Sequence, residues 1–311
     1  MAGATGRHVR DVDSSLVPGV RLIIRRVLLT LLGGALVVAL GACRPEQPDD
    51  PLAQIEVAGE VGRRPVVQVS TPVQVTDVVT EQLVTGDGTE LADGDAVMLA
   101  YLAIDATTGE VVEDSYGRQP RILPLTEDEA GPLYDELVGR TEGSRLLRLE
   151  PGSMTRPDPV VLVYDILRTA AYGEELEVPS SLPQVERDED GAPVVTLPEA
   201  DPPTSLAIAP LIRGEGPQVQ AGESVTVRYV QVAWSTGEVL DTTWGEGALP
   251  MTIPLVDRIP GLQDGLVDTT VGSQVMLVVP PAQADGTDTM VFVVDVLAVT
   301  QLADGSGEGT G

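Results

Sequence analysis

The stretch that decides the fold begins with Ser224-Val225-Thr226-Val227-Arg228-Tyr229 and extends to residue 299. Apolar and polar side chains alternate in this opening segment, which predicts a half-buried β-strand. Two more β-rich runs follow at 275–279 and 290–299. A proline near the start of 260–266 favours one short helix between the strands. Many strands and one helix indicate an α+β domain, in which a curved antiparallel β-sheet wraps over the short helix.

The same pattern occurs twice in the chain. Gly94-Asp95-Ala96-Val97 matches Gly222-Glu223-Ser224-Val225 at an offset of 128, and Asp165-Ile166-Leu167 matches Asp295-Val296-Leu297 at an offset of 130. The matched pieces keep the same order in both blocks. A nearly constant, domain-sized offset indicates two tandem domains rather than a solenoid of short repeats.

Composition divides the chain further. Clustered proline and acidic residues between the two blocks cannot supply a core and predict an interdomain linker. The predicted segments are a signal peptide at 1–42, a flexible tether at 43–66, the first domain at 67–172, a Pro/acidic linker at 173–203, the second domain at 204–302, and a Gly-rich tail at 303–311.

The N-terminus has the form of an export signal. Five arginines precede an apolar run over 27–42, which at 16 residues is shorter than the ~20 of a membrane-spanning helix. The run ends Leu40-Gly41-Ala42-Cys43, which resembles a bacterial lipobox. That resemblance implies lipidation at Cys43 and cleavage before it. The alternative is an uncleaved anchor helix with an incidental cysteine. Both predict an extracytoplasmic location for 44–311, anchored to the cell membrane.

Composition also excludes several kinds of site. One Cys rules out an intrachain disulfide and a cysteine-rich zinc site, and the one His, His8, lies in the segment expected to be removed. Removing the 5 Arg and 2 Asp of residues 1–42 from 19 basic and 48 acidic residues leaves 14 and 46, a formal charge of −32. Such acidity argues against nucleic-acid binding, which needs a basic surface. No metal and no cofactor are expected.

The second block resembles one known family. Its Tyr229, its Gly237-Glu238-Val239-Leu240-Asp241, its Ile259-Pro260-Gly261-Leu262, its Val271-Gly272-Ser273 and the run around Phe292 follow the order of the FKBP-type peptidyl-prolyl isomerase domain. The resemblance covers about 205–300, and more distantly 73–168. It implies an FKBP-like fold for both domains and an apolar cup that seats a substrate proline without any cofactor.

The resemblance also assigns residues to the cup of the second domain. The catalytic residues it implies are Tyr229, Asp241, Ile259, Leu262 and Phe292, and the substrate-binding ones are Leu240, Met251 and Asp285. Leu262 replaces the usual Trp, and Asp285 replaces a Tyr whose hydroxyl donates to the substrate. An ionised carboxylate cannot donate. Glu246 stands where an Arg often pairs with the family's Asp, so Asp241 is expected to pair with Arg258.

The first domain is expected to be a degenerate copy. By the same offsets its cup would present Tyr101, Val112, Glu113, Arg121, Ala130, Leu133 and Leu162. Two functions are therefore predicted. The first is a membrane-tethered, extracytoplasmic prolyl isomerase, active mainly in the second domain, whose partners are exported polypeptides with Xaa-Pro bonds. The second is a catalytically weak or inactive lipoprotein that binds unfolded or Pro-containing segments.

Overall fold

The computed structural model describes residues 50–284 and 286–300. The predicted signal peptide, the lipidation site Cys43, the tail at 303–311 and Asp285 lie outside the described residues. Antiparallel strands dominate what is described. None of the helices within these ranges combines the length and the apolar content needed to cross a membrane.

Residues 50–167 contain eight strands and one helical connection. The strands are β1 Ile55–Ala58, β2 Val66–Val69, β3 Val79–Val84, β4 Ala96–Asp105, β5 Val111–Asp114, β6 Arg121–Pro124, β7 Arg145–Glu150 and β8 Val160–Leu167. A 3₁₀ turn at Pro51–Gln54 precedes them, and the helical connection consists of α1 Glu127–Ala130, a 3₁₀ turn at Gly131–Leu133 and α2 Tyr134–Leu137.

The second half repeats these pieces. Its strands are β9 Glu174–Glu175, β10 Gln184–Arg187, β11 Pro193–Thr196, β12 Ala207–Arg213, β13 Ser224–Ala233, β14 Val239–Thr242, β15 Met251–Pro254, β16 Gln274–Val279 and β17 Met290–Thr300. The helix α3 Pro260–Leu266 lies between β15 and β16, with 3₁₀ turns at Leu255–Asp257 and Pro281–Gln283.

Strand order shows the duplication directly. In the first sheet the order is β3-β7-β8-β4-β5, with β6 also paired to β4. In the second it is β9-β12-β16-β17-β13-β14, with β15 paired to β13. Apart from the added edge strand β9, the two orders are identical, and every pairing is antiparallel. The predicted α+β class, with an antiparallel sheet over short helical segments in each half, is confirmed.

Each sheet is covered on both faces. In the second half, α3 covers one face, over a core that includes Leu266, Leu277 and Phe292. The hairpin β10–β11 contributes Val185 and Val195 to the core on the opposite face. Because both faces are covered, β16 is buried along its whole length, which explains its unbroken apolar sequence.

The segment 173–203 differs from its prediction. Its composition predicted a linker that adds nothing to a core, yet Val178, Leu182, Val185, Val195 and Leu197 pack against the second sheet. Glu186, Asp188, Glu189 and Asp190 lie at or near the turn of the β10–β11 hairpin, while Val185 and Val195 occupy inward-facing positions of its strands. The alternation of apolar and polar side chains along these two short strands, and not the average composition of the segment, therefore determines that it packs against the sheet.

The predicted tether is also wrong in its second part, because residues 51–66 belong to the fold. Ile55 is buried and packs in the core of the first sheet, on the face that β1 and β2 cover. The turn between these strands is held by the buried side chain of Arg145, which donates to the carbonyls of Gly59, Glu60 and Arg63 and pairs with Asp165 at 2.6 Å. Such a buried pair requires its hydrogen bonds to be satisfied, and these carbonyls supply them.

Candidate functional site

A cavity of about 260 Å³ opens on the helix-covered face of the second sheet. We call it the second cup. The residues that line it are Val227, Tyr229, Gln231, Asp241, Met251, Ile253, Asp257, Arg258, Ile259, Leu262, Leu266, Ala284, Met290, Phe292 and Val294. Most of these side chains are apolar, and the polar ones are few.

Strand geometry places two rows of these side chains. Val227, Tyr229 and Gln231 are alternate residues of β13, and alternate residues of a strand point to the same face. The neighbouring strand β17 contributes Met290, Phe292 and Val294 in the same way. In the register of the two strands, Phe292 lies opposite Gln231, so the rows run side by side along the cup.

The helix α3 lies unusually close to the sheet. A Cβ atom on Gly265 would lie 2.6 Å from Leu277, and one on Gly261 would overlap both methyl groups of Val279. Both glycines therefore permit a close approach that no other residue allows. This approach brings Ile259, at the N-terminal end of the helix, and Leu262 into the lining.

Tyr229 and Asp241 form the polar contact of the cup. The Tyr229 hydroxyl donates to the Asp241 carboxylate, which also accepts from the Thr242 N–H at 2.9 Å. Burial raises the pKa of Tyr229 to about 12, and the hydrogen bond to the carboxylate acts in the same direction. Tyr229 is therefore a protonated donor across the physiological pH range.

The expected pairing of Asp241 with Arg258 is not found. Both residues line the cup, but within the described part of the chain no ion pair joins them. The Tyr229 hydroxyl is the partner of the carboxylate instead. The guanidinium of Arg258 acts on Tyr229 only through its charge, which opposes the rise in the tyrosine pKa.

The structure brings together six of the eight residues that the sequence assigned to the cup. They are Tyr229, Asp241, Met251, Ile259, Leu262 and Phe292. Leu240 is not among the lining residues, because it neighbours Asp241 on β14 and alternation turns it away, leaving it half exposed. Asp285 lies outside the described residues.

Several lining residues were missed by the sequence reasoning. Val227 and Gln231 flank Tyr229 by two positions, and Met290 and Val294 flank Phe292 in the same way. Period-2 alternation around the two assigned aromatics would have found all four. Ile259 adds a backbone group, because its N–H has no acceptor among the described hydrogen bonds.

The first half contains a matching cavity of about 200 Å³, which we call the first cup. Of the residues predicted for it, Tyr101, Glu113, Arg121, Leu133 and Leu162 line it. Val112 is exposed and Ala130 is buried beneath, so neither does. Tyr101 donates to Glu113, as Tyr229 does to Asp241, and this bond raises the pKa of Tyr101.

Comparison with known proteins gives one family. The model described as FKBP-type peptidyl-prolyl cis-trans isomerase matches residues 216–295, which include the whole lining of the second cup. An FK506-binding protein of Streptomyces anulatus is 36% identical over 119 residues, and the match covers 34% of this chain and 96% of that protein. A probable FK506-binding protein of Corynebacterium glutamicum is 34% identical over 115 residues, covering 34% of this chain and 97% of the relative.

Among solved structures, FkpA from Escherichia coli is similar with a TM-score of 0.29 and 25% identity. That match covers 37% of this chain and 51%, about half, of the FkpA chain.

Proposed function

The chain belongs to the family of FKBP-type peptidyl-prolyl cis-trans isomerases, and we propose that its second cup is the place where Xaa-Pro bonds isomerise. The observation that carries this proposal is the lining of that cup. Ile259, Leu262 and Phe292 supply apolar walls around a cavity of about 260 Å³. Most of the other lining side chains are apolar as well, and the charged ones are Asp241, Asp257 and Arg258.

An apolar cup suits this reaction for a physical reason. The Xaa-Pro amide resists rotation because its C–N bond has partial double-bond character, with a barrier of ~18–20 kcal/mol. The twisted transition state loses that resonance and becomes less dipolar than the planar amide. A dry wall therefore favours the twisted form over the planar one, and binding that is stronger in the transition state speeds the reaction.

Two polar groups of the cup would orient the substrate. The N–H of Ile259, which has no acceptor among the described residues, can donate to a carbonyl of the peptide, and this fixes the chain on one side of the bond that rotates. Tyr229 is held by Asp241, so that its ring keeps one orientation beside the proline seat. In this proposal Tyr229, Asp241, Ile259, Leu262 and Phe292 form the catalytic set, with Met251 at the rim.

A reciprocal exchange between the two cups tests the assignment. Leu162 holds the position in the first cup that Phe292 holds in the second, at an offset of 130. In the full chain, Phe292→Leu is expected to lower kcat/KM for a Xaa-Pro peptide by about tenfold, since it removes ring contact from the seat. Leu162→Phe, the matched control, should leave the rate unchanged. Equal rates for the wild-type chain and Phe292→Leu would contradict the assignment.

We also propose that the protein works outside the cytoplasmic membrane, held by a lipid on Cys43, and assists exported polypeptides. The basic flank, the short apolar run and Leu40-Gly41-Ala42-Cys43 support this. With a formal charge of −32, the processed chain would be repelled by anionic headgroups, so attachment would depend on acyl chains.

The anchor has its own test. The full chain expressed in a bacterial host is expected to partition into the detergent phase of a Triton X-114 extract, and Cys43→Ala should move it to the aqueous phase or block processing. Partition that does not change with Cys43→Ala would show that attachment, if any, does not use this thiol.

The second candidate function is binding without turnover. The replacement of a donor hydroxyl by Asp285 and of the usual indole by Leu262 favours it, because both changes weaken contacts to the twisted amide. A Xaa-Pro peptide that binds the full chain and shows no faster isomerisation would identify this case.

A further inference from the structure

The first cup is built on the same strand order as the second, but its lining contains different side chains. Leu133 and Leu162 occupy the positions of Leu262 and Phe292, so part of the floor stays apolar. At the rim, Arg121 pairs with Leu99 across β6 and β4 in the way that Met251 pairs with Val227 across β15 and β13. The guanidinium of Arg121 thus lies at the rim of the first cup where the thioether of Met251 lies in the second.

Charged side chains also line the first cup or lie behind its lining. Arg148 pairs with Glu136 of α2 and, at 2.8 Å, with Glu150, which also pairs with Arg156 at 2.7 Å. At an offset of 129 the second half has Gly265, Leu277 and Val279 where the first half has Glu136, Arg148 and Glu150. The first cup is therefore not the dry enclosure that favours a twisted amide, but a site with an aliphatic floor and a polar wall.

Arg121 is the cationic side chain of the first cup that is available to pair with a ligand. Glu150 already has two guanidinium partners, and Glu113 accepts from Tyr101. Within the described ranges no carboxylate pairs with Arg121, although the chain carries 48 acidic residues against 19 basic ones. The other arginine in the lining of the first cup, Arg156, pairs with Glu150 at 2.7 Å.

We propose that the first cup binds extended peptide segments in which an acidic side chain lies next to an aliphatic one, and that it does so without isomerising them. The aliphatic side chain packs on Leu133 and Leu162, and the carboxylate pairs with Arg121. On a chain whose surface repels anions, an unpaired guanidinium beside an apolar seat selects a carboxylate by charge complementarity. This site goes beyond the proposed isomerisation and does not depend on it, because its ligand needs no proline.

The test uses two proline-free peptides on the full chain, acetyl-Ala-Leu-Glu-Ala-amide and its Leu-Gln counterpart. Methyl NMR locates the binding, with Leu133 and Leu162 reporting on the first cup and Leu262 on the second. The Glu peptide is expected to shift the Leu133 and Leu162 methyl signals and to bind about fivefold more tightly than the Gln peptide at low salt. The preference should disappear in Arg121→Gln and persist in Arg258→Gln, the matched change in the second cup.

Three results would overturn the proposal. Equal affinities for the Glu and Gln peptides would remove the role of the carboxylate. Shifts confined to Leu262 would place the peptide in the second cup. A molar mass that falls from dimer to monomer in Arg121→Gln, measured by light scattering without peptide, would show that a second copy of the chain occupies the cup. Isomerase rates are measured separately, so a failure here leaves the proposed function untouched.

Discussion

Tyr229 lines the second cup, and the ionisation of its hydroxyl can be measured. Its hydroxyl is bound to Asp241, and burial raises its pKa to about 12. An unfolded tyrosine ionises near pH 10. Between these values the unfolded chain loses the proton while the folded chain keeps it, so the free energy of unfolding falls as pH rises.

Replacing this hydroxyl isolates its contribution. The quantity to follow is the free energy of unfolding of the wild-type chain minus that of Tyr229→Phe. This difference is expected to stay constant between pH 7 and pH 9 and to fall between about pH 10 and about pH 12. The other tyrosines cancel in this comparison. Denaturant unfolding at a series of pH values measures it, and a difference that stays constant up to pH 12 would contradict the buried, hydrogen-bonded hydroxyl.

Single residues show where sequence reasoning succeeds. Tyr229, Asp241 and Phe292 were predictable because motif order and strand alternation both place them on the cup face. Leu240 was misplaced because a family pattern was carried over without checking which face of β14 it occupies. The partner of Asp241 could not be predicted, because the choice between Tyr229 and Arg258 depends on distances across strands that no local pattern encodes.

Among the elements, α3 shows how the backbone shapes the cup. Gly261 lies against Val279, a buried, β-branched residue with little freedom to move. Gly261→Ala is expected to reduce the free energy of unfolding, because overpacking costs about 1–3 kcal/mol and exceeds the gain in helix propensity of about 1 kcal/mol. Since Leu262 follows directly, a displaced helix should also lower the isomerase rate.

A second glycine serves as the control for this change. A Cβ on Gly286 would meet no atom within 4 Å, so Gly286→Ala should leave stability nearly unchanged. Denaturant unfolding of both variants measures the effect. Equal stabilities for Gly261→Ala and the wild-type chain would show that α3 can move away from β16 without loss.

The two hairpins show why element boundaries were missed. Composition suggested a tether and a linker, yet β1–β2 and β10–β11 each cover one face of a sheet. A signal was present, since Pro65-Val66-Val67 and Pro193-Val194-Val195 are identical and lie 128 residues apart, the offset of the domains themselves. The duplicated unit therefore includes the hairpin that precedes each domain.

At the scale of the whole molecule, the same strand order occurs in both halves, but the two cups are lined by different side chains. The family match lies at 216–295 in the second half, whose cup has an apolar lining. The first half keeps the strand order but introduces Arg121, Glu136 and Arg148 around its cup. Duplication could be predicted from the sequence, whereas the buried ion pairs could not, because their partners lie on elements distant in the chain.

The central claim is that the second cup, and not the first, isomerises prolyl bonds. Its most direct test is kcat/KM for a Xaa-Pro peptide, measured on the full chain for the wild type, Leu262→Ala and Leu133→Ala, which make the same truncation at equivalent positions of the two cups. The account predicts a loss of about tenfold or more for Leu262→Ala and wild-type activity for Leu133→Ala. Equal losses in both variants, or a loss in Leu133→Ala alone, would contradict it.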